Sequence, residues 1–217
     1  MVKLMIEIVS CKADRWKQRG PRETWIKEWG HLIDHKFLLG DGNLAQDDDE
    51  WILPVGDDWH SVFLKDQASH RRAYLMGYDY IFHISLDCYP IVPRLLAASK
   101  TLDGRQYVGA QSGGGNYLGE AGYWIGRRLM GAIIIAPAIA HTYDDVAIGD
   151  IARAAGIAYV DDRRYSRGDQ NGPRFPYEDE TIWQRDPCIS IHLGRGTGTF
   201  DPQWMVDCHR SYMNAQG

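Results

Sequence analysis

The sequence is poor in cysteine. Four residues, Cys11, Cys88, Cys188 and Cys208, are spread over 217 positions. None forms a C-x-x-C pair, which argues against a zinc knuckle, and such scarcity points to reduced thiols rather than a disulfide scaffold. Long apolar runs are missing too. The opening "MVKLMIEIVSCK" is too short for a signal peptide or anchor, and "GAIIIAPAIA" (131–140) is too short to span a bilayer and is broken by Pro137. A soluble, cytoplasmic protein without a transmembrane segment is therefore expected. Basic charge is in deficit. The net charge of -5 argues against nucleic acid as a main partner, so an anionic substrate would need local basic groups or a metal. No G-x-G-x-x-G follows the first strand and there is no P-loop, so neither a dinucleotide fold nor an ATPase fold is indicated. Repeats, coiled coils and linkers are also absent from the pattern.

What is present is ordinary globular composition, 44% hydrophobic and 24% charged, at a length that suits one α/β domain over 1–217. Eight Trp and twelve Tyr are many for this length. Most such rings build cores, but sugar-binding clefts also use them. Strand-like runs alternate with helical ones. "KLMIEIVSC" reads as a first strand and "RETWIKEWGHLI" as a helix with Trp25, Trp29, Leu32 and Ile33 at helical spacing. "HKFLLGDGN" is a second strand, and "SVFLKDQASHRRAYLMG" a helix stopped by Gly77. "YDYIFHISLD" is the next strand. Helices at "IVPRLLAASKTLDG", "RRLMGAIIIAPAIAH" and "YDDVAIGDIARAAG" follow, with short strands at "QYVGA", "GYWIG", "IAYV" and "CISIHLG". A Gly-rich loop, "QSGGGNYLGEAG", and a flap over 163–180 are expected, and the tail reads as short and polar. This alternation predicts a mostly parallel sheet with helices on both faces and a site beyond the strand carboxyl ends.

Several acidic features compete for that site. "DDDE" (47–50) sits in a polar stretch and reads as a solvated loop. Asp87 ends a long apolar strand, where a carboxylate either starts a turn or holds a hard divalent cation. Asp144 and Asp145 open a helix; one is expected to cap it, leaving the other to face a cleft as general base. Asp161 and Asp162, at another strand end, form a second possible metal site. His192 inside "ISIHLG" is either a core residue or a metal ligand.

The order of these motifs resembles the family 31 glycosyltransferases, the β-1,3-galactosyltransferase and Fringe group. "PRETW" (21–25) is similar to the family's R-x-T-W, "FLLG" (37–40) to its second strand, and "DDWHSVFLK" (57–65) to D-S-Y-x-N-L-T-L-K, with Trp59 in place of Tyr. "FHISLD" stands where the family has F-K-x-D-D-D, "GEAGYWIG" resembles G-G-G-Y-x-L-S, "YDDVAIG" resembles E-D-V-x-x-G, and "SIHLG" resembles the segment with the late metal-binding histidine. The resemblance runs from about Arg22 to His192. It implies a GT-A fold and a UDP-sugar donor. It also implies Mn2+ (or Mg2+) and an inverting transfer of a hexose to an oligosaccharide or glycoconjugate acceptor. Residue by residue, it implies Asp87 and His192 as metal ligands and Asp145 as the catalytic base. Donor contacts would come from Ser10, Lys12, Arg22, Asp57, Lys65, Ser85 and Glu120, with Trp124 a candidate stacking wall. The chain departs from the family where Ser85 and Leu86 replace two acids of the triplet, and it is short for the group, as a bacterial or viral relative or a module of a larger enzyme would be. A retaining transferase on the same fold, or a non-catalytic nucleotide-sugar or glycan-binding module, stays open at this point.

Overall fold

The computed structural model describes residues 2–111, 118–137, 143–166, 188–194 and 200–216. The central sheet grows from β1 (Leu4–Val9), whose two faces are both covered, so its residues are apolar on each side apart from Glu7. β1 pairs in parallel with β2 (Asp34–Leu39) on one side and β4 (Tyr80–Ser85) on the other, and β2 pairs in parallel with β3 (Glu50–Ile52). β7 (Leu118–Gly126) runs antiparallel to both β4 and β6 (Tyr107–Gln111), and β8 (Val160–Asp161) closes the edge parallel to β6. The seven-strand order is β3-β2-β1-β4-β7-β6-β8. A small second sheet joins β5 (Cys88–Pro90), β10 (Ser190–His192) and β9 (Tyr165–Ser166).

Strand alternation divides the core in two. Ile6, Ile8, Phe82 and Ile84 face one layer with Trp25, Trp29 and α2 (Val92–Ser99). Met5 and Ile81 face the other with α1 (Val62–Leu75), α3 (Arg127–Ile135) and α4 (Asp144–Ala154). The α1 stop at Gly77 takes φ +81, the left-handed region that glycine adopts without a Cβ clash. The helical stretch expected from Arg22 in fact begins at Lys12 as a 3-10 turn. It kinks at Thr24 (φ -119, ψ -108), whose hydroxyl donates to the Gly20 carbonyl at 2.7 Å.

Three expectations are corrected here. The polar tail is a 15-residue helix, α5 (Pro202–Gln216), which buries Met205, Cys208 and Tyr212 against the 12–29 stretch. Each such side chain contributes about 1.5–3 kcal/mol by leaving water. The "DDDE" loop is not simply solvated. Glu50 is buried and ion-paired with Arg15, while Arg22 pairs with Asp47 at 2.5 Å and Asp49 at 2.7 Å. Trp124 is fully buried, donating its Nε1–H to the Tyr165 hydroxyl at 2.7 Å, and is therefore core rather than a stacking wall. The segments 112–117 of the Gly-rich loop and 167–180 of the flap lie outside the described residues. Among the described residues, no helix is long and apolar enough to cross a membrane.

Candidate active site

A cleft of about 700 Å3 opens beyond the carboxyl ends of β1 and β4, where a mainly parallel sheet places its ligand. Its floor includes Ser10, Ser85 and Gly122, and its walls carry Asp57, Lys65, Asp87, Asp145 and His192. Gly122 has φ +93, and a Cβ there would meet Ile84 Cγ2 at 2.6 Å and Phe82 Cζ at 2.7 Å, so glycine lets β7 run close against the end of β4.

Asp87 stands two residues past the end of β4. Its partner arrives through the small sheet: β10 pairs antiparallel with β5, with His192 opposite Cys88, and Leu193 N–H donates to the Asp87 carbonyl at 2.7 Å. His192 Nε2 thereby lies 3.1 Å from Asp87 Oδ2, with the two side chains 17% and 19% exposed to the cleft. Ser85 Oγ donates to the other carboxylate oxygen. Burial opposes the Asp87 charge most strongly, yet His192 and Ser85 together hold its pKa below the usual carboxylate value. Gly194 lies so close that a Cβ there would collide with the carboxylate. These features fit a divalent ion. One oxygen and one nitrogen about 3 Å apart is the separation of adjacent ligands on a cation with bonds of about 2.1 Å.

Asp57 is the structural knot of the other wall. Its Oδ1 accepts from Lys65 Nζ (2.7 Å) and Gly40 N–H (2.7 Å), and its Oδ2 from Lys12 N–H (2.7 Å) and Asn43 Nδ2 (3.0 Å). Burial raises its pKa, but these donors outweigh that and hold it low. Lys65 is itself 1% exposed, and its other contact is the Ser10 carbonyl at 2.8 Å. The lysine read as a donor contact therefore ties β1, β2 and α1 together at the cleft wall. The cleft's other lysine, Lys17, pairs with Asp14 at 2.8 Å. Both cleft lysines are thus already matched, and Asp58, Asp87, Asp144 and Asp145 add acid to the walls, with Asp87 facing His192 and Asp144 facing His83.

The remaining expected residues fall as follows. Ser10 is buried and accepts from Gln18 Nε2 at 3.1 Å. Lys12 reaches the site through its backbone N–H, while its side chain is not among those lining the cleft. Arg22 is placed elsewhere, because the acidic loop and the face of Phe37 (5.1 Å) already hold its guanidinium. Glu120 belongs to β7 rather than to a loop, and its side chain lies outside the described residues. Asp145 is the second residue of α4 and lines the cleft, with its Oδ1 accepting its neighbour Val146 N–H at 2.8 Å. Asp161 and Asp162 sit at the far edge of the sheet, engaged by Gln111 N–H (3.0 Å) and Arg164, and do not join the cleft.

Sequence reasoning missed two groups. At the rim, Trp59 (58% exposed) and Tyr143 (59% exposed) meet edge to face at 6.3 Å. Below the floor lies a buried cluster of charge. Glu7 and His83 are register partners on β1 and β4 and face α1. Glu7 Oε1 accepts from His83 Nδ1 and His70 Nε2, each at 2.7 Å, and Oε2 accepts from Ser69 Oγ at 2.6 Å. His83 Nε2 continues to Asp144 Oδ2 at 3.0 Å, with the Tyr123 ring stacked on it at 5.0 Å. Burial disfavours the Glu7 charge, but the two histidines hold its carboxyl well below the ordinary range. Burial likewise works against a charged His83, but Asp66, Asp144 and Glu7 push its pKa well up.

No family model matches the chain, and no curated protein matches it. Solved structures do. The glycosyltransferase GlyE of Streptococcus pneumoniae is similar with a TM-score of 0.54 and 11% identity, over 100% of this chain and 62% of that one. A glycosyltransferase involved in glycosylation of the major capsid of PBCV-1 is similar with a TM-score of 0.52 and 9% identity, over 99% and 100%. A protein of Desulfovibrio desulfuricans described as a nucleotide-diphospho-sugar transferase gives 0.50 and 12%, over 74% and 80%. The chain has a GT-A type fold. At these identities the likeness carries the fold and not the activity, which the geometry of the cleft must argue.

Proposed function

We propose that the protein is a metal-dependent inverting glycosyltransferase, related to the family 31 group, that moves a hexose from a UDP-sugar to a hydroxyl of a glycan acceptor. The observation that carries this reading is a single cleft holding the Asp87–His192 pair together with a further carboxylate, Asp145, on α4. The charge balance supports it. With Lys65 and Lys17 already matched and the walls acidic, a diphosphate needs added positive charge, and Asp87 and His192 are the residues that would hold it. A divalent ion there supplies compensation for the charge that develops on the leaving diphosphate.

The chain's own residues do the rest. Asp145 takes the proton of the acceptor hydroxyl as its oxygen attacks the anomeric carbon. The carbon–oxygen bond to the diphosphate breaks as the new one forms, so the configuration inverts. The β1 exit at Ser10, with the Lys12 backbone fixed by Asp57, would receive the nucleotide. Trp59 and Tyr143 present exposed ring surface at the rim, suited to the C–H face of an acceptor sugar. The departures from the family triplet are absorbed by the fold: Ser85 supports Asp87, and Leu86 is 7% exposed and packs into the core.

The test is a donor screen. UDP release from UDP-glucose, UDP-galactose and UDP-N-acetylglucosamine is followed with manganese and a mixed oligosaccharide acceptor pool. Acceptor-dependent release from one donor is expected. Asp145→Asn should keep UDP binding and lose transfer by about 10²–10⁴-fold. Unchanged transfer in that variant would remove the base assignment, and UDP binding with no turnover of any donor would favour a binding module.

A further inference from the structure

The mechanism above uses Asp145 but leaves the polar cluster under the floor without a task. Asp66, on α1, is fully buried, and neither carboxylate oxygen has a hydrogen-bond partner. Its nearest cationic contact is His83 Nδ1, 4.0 Å from Oδ1. The Tyr123 hydroxyl, on the ring that stacks on His83, is buried and also lacks a partner. A carboxylate stripped of water and of hydrogen bonds is costly, and proteins that keep one there give it a proton or a cation.

We propose that Asp66, His83 and Asp144 form a second divalent-metal site, distinct from Asp87–His192, between α1, β4 and the first turn of α4. One ligand atom from each residue lies within 4.8 Å of the others, a spacing that small side-chain shifts close around one ion. His83 is already prepared for that role. Its Nδ1 lies 2.7 Å from Glu7 Oε1, which leaves Nε2 directed at Asp144 Oδ2 at 3.0 Å. A carboxylate behind a histidine in this manner fixes the ring and its tautomer for a metal on the opposite nitrogen. Glu7 is itself anchored by Ser69 and His70, which makes the support rigid. One imidazole and two carboxylates suit a borderline ion such as zinc. Entry runs through the cleft, which both His83 and Asp144 line. The ion would join α1, β4 and the start of α4, and so fix the position of Asp145.

The test uses the full chain carrying Asp87→Ala, which silences the other pair. After dialysis against zinc, metal content, thermal midpoint and the visible spectrum of the cobalt-substituted protein are measured. About one equivalent of zinc, a raised midpoint and cobalt ligand-field bands are expected. Asp66→Asn or Asp144→Asn in that background should weaken zinc binding more than 100-fold, and Glu7→Gln by about 10–100-fold. No zinc and no cobalt bands in the Asp87→Ala protein would overturn the proposal even if the further variants fail to fold. Undiminished zinc binding in folded Asp66→Asn would do so as well. Asp145→Asn should lose transfer when Asp87 is intact and should still bind zinc in the Asp87→Ala background, which separates this site from the catalytic reading.

Discussion

Two carboxylate–histidine pairs flank the carboxyl end of β4, and they differ in what stands behind the histidine. His192 and Asp87 are 3.1 Å apart on the open wall of the cleft, each nearly a fifth exposed. His83 and Asp144 are 3.0 Å apart at its inner end; Asp144 is 21% exposed, but His83 is 5% exposed and is backed by Glu7 at 0%. The open pair is reached by solvent and ligand, so its energy is available for binding. The closed pair backs onto Glu7, which water does not reach, so its energy is committed to holding β1, β4, α1 and α4 in place. Closely similar distances therefore assign the two pairs different work.

Breaking the closed pair's support should have the largest effect. Glu7→Ala leaves two buried histidines without their shared acceptor and should cost about 3–5 kcal/mol in chemical denaturation. Asp87→Ala removes a partly exposed pair and should cost about 1 kcal/mol or less. Equal losses would erase the distinction.

The pH dependence of stability sharpens it next. Glu7 and Asp144 have lowered pKa values in the folded protein, so their contribution is present above the ordinary 4.5 and 3.8 and is lost as the pH falls below those values towards the lowered ones. Asp66 is shifted the other way, first by burial. Its contribution is full below its ordinary 3.8 and declines as the pH rises towards its raised value. With a chelator present, thermal midpoints should therefore fall steeply below pH 4.5. Glu7→Gln should flatten that acid limb, whereas Asp66→Asn should help more at pH 7 than at pH 4. The smallest effect belongs to the rim. Trp59→Ala should raise the acceptor KM by up to about tenfold while leaving UDP affinity and stability nearly unchanged.

The sequence made some of this legible and hid the rest for physical reasons. The α1 stop at Gly77 and the α4 start at Asp144 were readable because left-handed glycine and acids in a helix's first turn are local effects, although the N-cap position itself is Tyr143, without a side-chain cap, rather than either aspartate. Asp87, His192 and Asp145 were found by the order of their motifs, and the chain does bring them to one cleft. Arg22 was misplaced because its partners, Asp47 and Asp49, are some 25 residues away and come close only once β2 and β3 have paired. Glu7 and His83 look like interruptions of two apolar strands, and only the parallel register of β1 and β4 puts them side by side. Helix α5 did carry a signal that was passed over. Asp201 caps Gln203 N–H at 2.9 Å, Pro202 follows at the first turn, and Met205, Cys208 and Tyr212 repeat at helical spacing.

The central claim is that the open pair holds a metal that in turn holds a nucleotide diphosphate. Calorimetric titration of UDP into the full-length chain, with and without manganese, tests it most directly. The account predicts binding that depends on manganese in the wild type and is abolished by Asp87→Ala. UDP binding of equal strength without the metal, or unaltered in Asp87→Ala, would contradict it.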